Sequence, residues 1–262
     1  MPSPTLRPSL ILAYHGLGTF PRELDPHNLM VAPQQFRRHI QALRRRRYAF
    51  VELGELASLS AAGQQKGGLC ALTFDDGTLD NLEVLAPLLT ELDLPATVFV
   101  CPGLLGKPHF AMPAQAGVRL MDAEEVRRLA SSPLVEIGSH TNNHVDLSDA
   151  TPEQAYGEMK SSKETLEELL QRSVHAFAYP KCGYSPACPE AARRAGYDVA
   201  VTCGGRGGRL PFELARESID PLDGRLTFAL KSRRLFLPLR ESPPGRLARR
   251  LSRPVRHPGV AL

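Results

Sequence analysis

Four ionisable side chains stand just beyond two short apolar runs of the sequence. Asp75 and Asp76 follow residues 69–74, and His140 and His144 follow residues 134–139. Burying one unpaired carboxylate is costly, and an adjacent like charge increases that cost. A divalent cation bound by one aspartate would offset the cost, and the other aspartate would then serve as a base.

The two histidines are four residues apart, so one helical turn would place both imidazoles on the same side. Two imidazoles and one carboxylate, with an open position for water, form a common ligand set for catalytic zinc and similar ions. Alone, the pair is equally consistent with surface histidines in a turn. A shared position after predicted strands favours one site for His140, His144 and the aspartates.

A third candidate segment is FAYPKCGYS, residues 177–185, which also follows an apolar run. Pro180 precedes a glycine-containing turn, and such a turn leaves backbone N–H groups free. Free N–H groups of this kind stabilise a developing oxyanion.

The elements that must position these residues alternate between strand and helix. Apolar runs predict strands at 9–14, 48–53, 69–74, 95–100, 134–139, 175–180, 197–202 and 213–218. Helical periodicity and capping signals predict helices at 33–46, 55–60, 82–92, 122–130, 152–170 and 189–195. This alternation is typical of parallel strands with helical crossovers. It predicts an α/β protein with a single, distorted β/α barrel of about seven strands, in which sites gather at the carboxyl ends of strands.

The motifs TFDDG, SHTNNH and FAYP, in this order, resemble the first three motifs of the polysaccharide deacetylases (carbohydrate esterase family four, the chitooligosaccharide deacetylase homology domain). The segments LILAYHGL, LPATVFV, AARRAGYDVAVT and PFELARES are also similar to that family, so the resemblance covers roughly residues 9–232. It implies a metal-dependent hydrolase that removes an acetyl group from an N-acetylated sugar, such as N-acetylglucosamine in a glycan, an oligosaccharide or a lipid-linked or nucleotide-linked precursor.

The resemblance also implies roles for the motif residues. Asp75 is expected to be the general base. One divalent ion is expected, zinc being favoured over cobalt, nickel or manganese, with three protein ligands: Asp76, His140 and His144. Tyr179 and Pro180 are expected to contact substrate.

Two departures from the family pattern affect the third motif. The family often carries an arginine two residues before the proline, where this sequence has Ala178, so Arg216 is the candidate to orient the base. The usual aromatic residue and glycine after the proline are replaced by Lys-Cys-Gly. A backbone donor survives this change, and the N–H of Lys181 is therefore still expected to stabilise the oxyanion.

The third departure concerns the general acid. The family's leucine–x–histidine motif, which supplies that acid, is missing. The chain also has no Trp, so the aromatic residue of the fourth motif is absent. His15, at the end of the first strand, is the best-placed substitute, although a half-buried structural histidine fits the sequence equally well. His39 is assigned to a charged helix face, and the histidines without a motif are expected to have no role: 27, 109, 175 and 257.

Two other functions remain compatible with the motifs. The same scaffold in related subfamilies hydrolyses other non-peptide C–N bonds, including ring amides. An inactive, metal-containing carbohydrate-binding protein is the second alternative. Asp75 favours catalysis over binding alone, because a binding module needs metal ligands but no base.

Composition suggests an ordinary soluble protein, and no apolar run approaches the ~18 residues of a membrane span. The N-terminus lacks the pattern of a secretory signal. The five cysteines are odd in number and show no C-x-x-C spacing, which predicts reduced thiols. Together these features predict a cytoplasmic protein, peripheral to the membrane at most.

The charge is unevenly distributed along the chain. Residues 231–262 carry nine Lys or Arg and one acid, so this segment is +8 and the remainder −4 by difference from the net charge of +4. We expect a barrel at 1–232 and a basic, partly disordered tail at 233–262. The tail is either solvated or bound to an anionic membrane surface. Nucleic acid is not expected as a partner, because the tail has almost no aromatic residues to stack on bases.

Overall fold

The computed structural model describes residues 8–63, 67–203 and 211–241. The strands in these residues are β1 Leu10–Tyr14, β2 Gly16–Leu17, β3 Met30–Val31, β4 Ala49–Phe50, β5 Leu69–Phe74, β6 Ala96–Val100, β7 Val135–Ser139, β8 Ala176–Ala178, β9 Val199–Cys203 and β10 Leu214–Ser218. The α-helices are α1 Pro33–Arg45, α2 Leu53–Ala61, α3 Ala86–Leu92, α4 Ala123–Ala130, α5 Pro152–Leu170, α6 Cys188–Arg194, α7 Arg225–Lys231 and α8 Phe236–Glu241.

Seven parallel strands close a barrel. Their order is β1-β10-β9-β8-β7-β6-β5, and β5 pairs with β1 to complete the circle. The closing register runs from Leu10 beside Cys70 to Tyr14 beside Phe74. β4 pairs with the first residues of β5, and β2 pairs with β3 outside the barrel. The predicted barrel of about seven strands is confirmed.

Alternation along the strands divides the core into two clusters. Leu12 of β1 packs in the outer cluster beneath the helices, whereas its neighbour Ile11 packs in the inner one. α1 covers the outer cluster with Phe36, Ile40 and Leu43, the apolar face that its sequence predicts. Burial on both sides explains why the barrel strands appear in the sequence as continuous apolar runs.

Two helices begin at predicted capping boxes. Asp122 accepts a hydrogen bond from the N–H of Glu125 at the start of α4, and the Glu125 side chain bonds back to the N–H of Asp122. Thr151 and Gln154 form the same arrangement at the start of α5. Such caps satisfy backbone donors that a helix leaves unpaired, so both helices start at fixed positions near the site.

The segment after β10 contains more structure than the sequence predicts. α7 was not predicted, and α8 lies within the expected tail. Residues 242–262 of that tail lie outside the described residues, so the domain boundary stays a prediction. Within the described ranges, none of the helices combines the length and apolar character required to cross a membrane.

Candidate metal centre and active site

The predicted site residues come together at the carboxyl end of the barrel. Asp75 and Asp76 directly follow β5, His140 directly follows β7, and the turn Pro180–Cys182 comes two residues after the end of β8. Parallel strands in a barrel direct their carboxyl ends to one rim. Segments far apart in the sequence therefore contribute to a single site.

Asp76, His140 and His144 form a group of three potential metal donors. Asp76 Oδ1 lies 3.7 Å from His140 Nε2 and 3.4 Å from His144 Nε2, and the three donor atoms all lie within 4.8 Å of one another. Asp76 Oδ1 is buried and has no hydrogen-bond partner among the residues described. A buried, unpartnered carboxylate oxygen is costly. This oxygen and the mixed carboxylate–imidazole donors fit a divalent ion such as zinc.

The surroundings of the two imidazoles favour the neutral ring that binds a metal ion. His140 Nδ1 lies 2.7 Å from the carbonyl oxygen of Ala178, so Nδ1 carries the proton and donates it, and Nε2 keeps its lone pair. Burial, followed by the charge of neighbouring His140, lowers the pKa of His144 to about 4. His144 is therefore neutral near pH 7, as a metal ligand must be.

Several site residues adopt a backbone conformation that L-residues rarely take. The φ angle is 71° at Asp76, 56° at His144 and 54° at Lys181. Such residues cost free energy, and they cluster at functional sites where surrounding structure holds them in place. The positive angles turn the chain sharply after the strands and aim these residues over the rim.

Asp75 is held by an arginine on β10, which is separated from β5 by the single strand β1. Arg216, on β10, donates from Nη1 to Asp75 Oδ1 at 2.7 Å and from Nη2 to Oδ2 at 2.8 Å. Both side chains are buried. Burial alone would raise the pKa of Asp75, but the charges of Arg216 and His140 hold it below its ordinary value. The structure thus brings together the predicted base and its predicted orienting partner.

His15 follows β1 and is close to both aspartates. Its charge contributes to lowering the pKa of Asp75 and of Asp76. His15 is half-buried, and its carbonyl accepts a hydrogen bond from Asn81 Nδ2 at 3.2 Å. The backbone of His15 is thus held by Asn81, and the residue as a whole is only partly buried.

The turn after β8 is tied to the next strand by a disulfide. Cys182 and Cys203 are bonded, with their Cα atoms 5.0 Å apart, so the prediction that all the cysteines are reduced is wrong. The other three cysteines are free and buried. Gly183 also allows the turn to lie close to residue 148, because a Cβ there would clash with Ser148 Oγ.

The same turn carries the predicted oxyanion donor. Among the described residues, no group accepts a hydrogen bond from the N–H of Lys181.

Two predicted substrate contacts lack accessible side chains. Tyr179 is 0% exposed and its hydroxyl donates to the carbonyl of Phe212 at 2.9 Å. Its ring packs on Phe177 and Tyr184. Pro180 is buried as well. Tyr179 thus packs against its neighbours, Pro180 begins the turn, and contact of these two residues with substrate stays a prediction.

Two histidines differ from their predictions. His39 is buried and does not lie on a charged face. Its ring stacks on Phe228, and its Nδ1 lies 3.1 Å from the Tyr14 hydroxyl. His109 was expected to have no role, yet its Nε2 lies 3.2 Å from Asp76 Oδ2. No motif in the sequence marks His109, because it lies in a loop without periodicity. The only available signal was its position in a long loop after a barrel strand, where functional residues concentrate.

This fold and site define a β/α barrel with a possible site for a divalent ion at the carboxyl ends of its strands. The chain belongs to the polysaccharide deacetylase family, a family of deacetylating hydrolases: the family model described as polysaccharide deacetylase matches residues 62–200, more than half of the sequence.

Individual relatives agree with this assignment. YxkH of Bacillus subtilis (strain 168), whose name places it among the polysaccharide deacetylases, is 26% identical over 193 residues, which is 73% of this chain and 63% of YxkH. This chain thus spans less than two thirds of the length of that relative. The Streptococcus pyogenes deacetylase PplD, solved in complex with acetate, is similar with a TM-score of 0.71 and 26% identity, over 85% of this chain and 97% of PplD. IcaB from Ammonifex degensii shares the fold, with a TM-score of 0.72 and 21% identity over 86% of this chain and 97% of IcaB.

Proposed function

We propose that this protein is a metal-dependent hydrolase that removes the acetyl group from an N-acetylated sugar. The observation that carries the proposal is Asp76 Oδ1, which is buried and has no hydrogen-bond partner among the residues the structure describes. It faces the Nε2 atoms of two histidines, and the neighbouring Asp75 is paired with Arg216. The Streptococcus pyogenes deacetylase supports it, because its structure holds acetate, the acid that deacetylation releases.

Asp76, His140 and His144 hold the ion in this proposal, with zinc favoured over cobalt, nickel or manganese. When bound, the ion supplies Lewis acidity toward the acetyl carbonyl and the attacking water. Asp75 accepts the proton of that water as its oxygen bonds to the carbonyl carbon. Arg216 occupies one lone pair on each Asp75 oxygen, and a second lone pair on each remains for this proton.

The remaining steps need an oxyanion donor and an acid. The N–H of Lys181 has no competing acceptor among the described residues, and it donates to the carbonyl oxygen as negative charge develops there. Protonated His15 gives its proton to the sugar nitrogen while the C–N bond breaks. The products are acetate and the free amino sugar.

The proposal is tested by measuring free acetate released from a panel of N-acetyl sugars, beginning with N-acetylglucosamine oligomers and nucleotide-linked and lipid-linked N-acetylglucosamine. We expect activity to be lost after chelation and to return when Zn²⁺, Co²⁺, Ni²⁺ or Mn²⁺ is supplied. His140→Ala and His144→Ala should each lose the ion. Acetate release that is insensitive to chelator, or full ion content in both variants, would contradict the metal assignment.

His15→Gln is expected to lower kcat on an N-acetyl sugar by about 10²-fold, because a general acid contributes on the order of 10²–10⁴. The variant should lose much less activity on an aryl acetate, whose leaving group departs without protonation. Kinetics on both substrates, with ion content measured in parallel, separate loss of the general acid from loss of the ion. Equal losses on the two substrates would show that His15 is not the acid. His175→Gln, on the exposed surface, is the control.

The predicted location and membrane contact stay predictions. Residues 242–262 carry five of the eight basic residues of the predicted tail, and they lie outside the described residues. Disulfides persist mainly in oxidising compartments, so the Cys182–Cys203 bond removes the argument that reduced thiols gave for a cytoplasmic location.

A further inference from the structure

The loop between β6 and α4 brings a histidine against the second oxygen of Asp76. His109 Nε2 lies 3.2 Å from Asp76 Oδ2, and the two side chains are only 1% and 3% exposed. The two oxygens of Asp76 are thus in different surroundings. Oδ2 faces His109, whereas Oδ1 faces His140 and His144 and has no hydrogen-bond partner among the described residues.

A backbone contact assigns the proton on the His109 ring. The N–H of Ala111 donates to His109 Nδ1 at 3.2 Å, so Nδ1 must carry a lone pair. In a neutral imidazole the other nitrogen then carries the proton. Nε2 therefore donates to Asp76 Oδ2 and has no lone pair for an ion, which excludes His109 as a further metal ligand.

The loop that carries His109 is attached to the segment just after Asp76. The N–H of His109 donates to the carbonyl of Val118 at 3.0 Å, and the N–H of Met121 donates to the carbonyl of Gly77 at 2.9 Å. His109 and Asp76 are thus connected through a few backbone hydrogen bonds as well as through their side chains. These contacts together hold the His109 ring beside the Asp76 carboxylate.

The same loop contacts a second member of the donor group. The ring of Phe110 stacks on His109 with centroids 4.6 Å apart and on His144 at 4.3 Å. Phe110 thereby packs His109 and His144 into one layer over the rim. Movement of either imidazole would disturb this packing.

We propose that His109 is a positioning residue: its Nε2–H fixes the Asp76 carboxylate so that Oδ1 alone is directed at the ion. This role rests on the proposed metal site. Without the donor, Oδ2 is buried and unsatisfied and the carboxylate is free to rotate. Loss of a hydrogen-bonding partner of a metal ligand typically weakens metal binding by about 10–100-fold.

The test is the affinity of the full-length protein for Zn²⁺, measured by competition with a chromophoric chelator. His109→Leu and His109→Ala both remove the donor, and leucine also fills most of the volume. We expect each to bind about 10–100-fold more weakly than wild type. His109→Gln offers an amide N–H near the position of Nε2 and should stay within a few-fold of wild type. His175→Ala is the matched control, because His175 forms a similar pair with Asp198 (Nδ1–Oδ2, 2.7 Å) on the exposed surface, and it should not alter the affinity.

The visible spectrum of the Co²⁺-substituted protein reports the geometry around the ion. It therefore distinguishes loss of the His109 donor from a general loosening of the fold. We expect it to change in the donorless variants and to return in His109→Gln. Wild-type affinity in a donorless variant would overturn the role of His109, and so would a His109→Gln variant more than tenfold weaker than wild type. Failure of the wild-type protein to bind any divalent ion would instead overturn the metal site itself, and this role with it.

Discussion

Replacing Asp75 by asparagine is expected to lower kcat for acetate release by about 10²-fold or more, while the variant still binds its ion. Asparagine retains the size of the side chain but does not accept a proton from water at neutral pH. The substitution leaves Asp76 Oδ1 and the Nε2 atoms of His140 and His144 unchanged. Ion content per chain and kcat, measured on the same preparation, separate loss of the base from loss of the metal.

The same substitution also leaves Arg216 buried without its counter-charge, so stability must be measured as well. Assays belong at a temperature at which the variant is fully folded. Asp76→Asn is the matched control, since it makes the same change one residue further along and is expected to lose the ion. A folded, ion-containing Asp75→Asn variant with kcat within tenfold of wild type would exclude Asp75 as the general base.

The sequence was informative where one strong local pattern decided the structure. β5 was predicted at 69–74 and is found at Leu69–Phe74, because a strand buried on both faces is continuously apolar. The ends of such strands lie on one rim of a parallel barrel. Placing Asp75, Asp76 and His140 directly after two of them was therefore enough to predict that these residues meet.

Features that depend on distant contacts left no such pattern. The strands β2 and β3 have two residues each, too few for any periodicity. Cys182 and Cys203 are separated by 21 residues, and only the pairing of β8 with β9 brings them together. The role of His109 depends on backbone bonds between residues 118–121 and the turn after Asp76, which no property of the loop sequence reveals. α7 likewise depends on a distant contact, because its Phe228 packs against His39 of α1.

The second large effect is expected on stability, and it concerns Arg216. Its side chain is 0% exposed, and besides Asp75 it donates to Thr73 Oγ1 at 3.0 Å and to the carbonyl of Thr202 at 3.3 Å. Removing one partner of a buried ion pair typically costs about 3–5 kcal/mol. We expect Arg216→Ala to lower the free energy of unfolding by about this amount, and to lower kcat more than it raises KM because the base loses its orientation. Arg216→Lys keeps the charge but not the paired hydrogen bonds to both Asp75 oxygens. Its free energy of unfolding should lie between those of wild type and Arg216→Ala.

The pH dependence of unfolding, measured on ion-free protein, distinguishes the ion pair from packing. Burial alone would raise the pKa of Asp75, but Arg216 lowers the folded-state pKa below its ordinary value. The pair therefore stabilises the fold above the unfolded-state pKa of about 3.9, and this contribution is lost as pH falls through the folded-state pKa. The difference in unfolding free energy between wild type and Arg216→Ala should be largest near neutral pH and shrink below pH about 4. Arg193→Ala removes an exposed arginine paired with Glu190 and should leave the unfolding free energy nearly unchanged at every pH. A difference for Arg216→Ala that stays constant across this range would assign the contribution of Arg216 to packing and would contradict a lowering of the Asp75 pKa by Arg216.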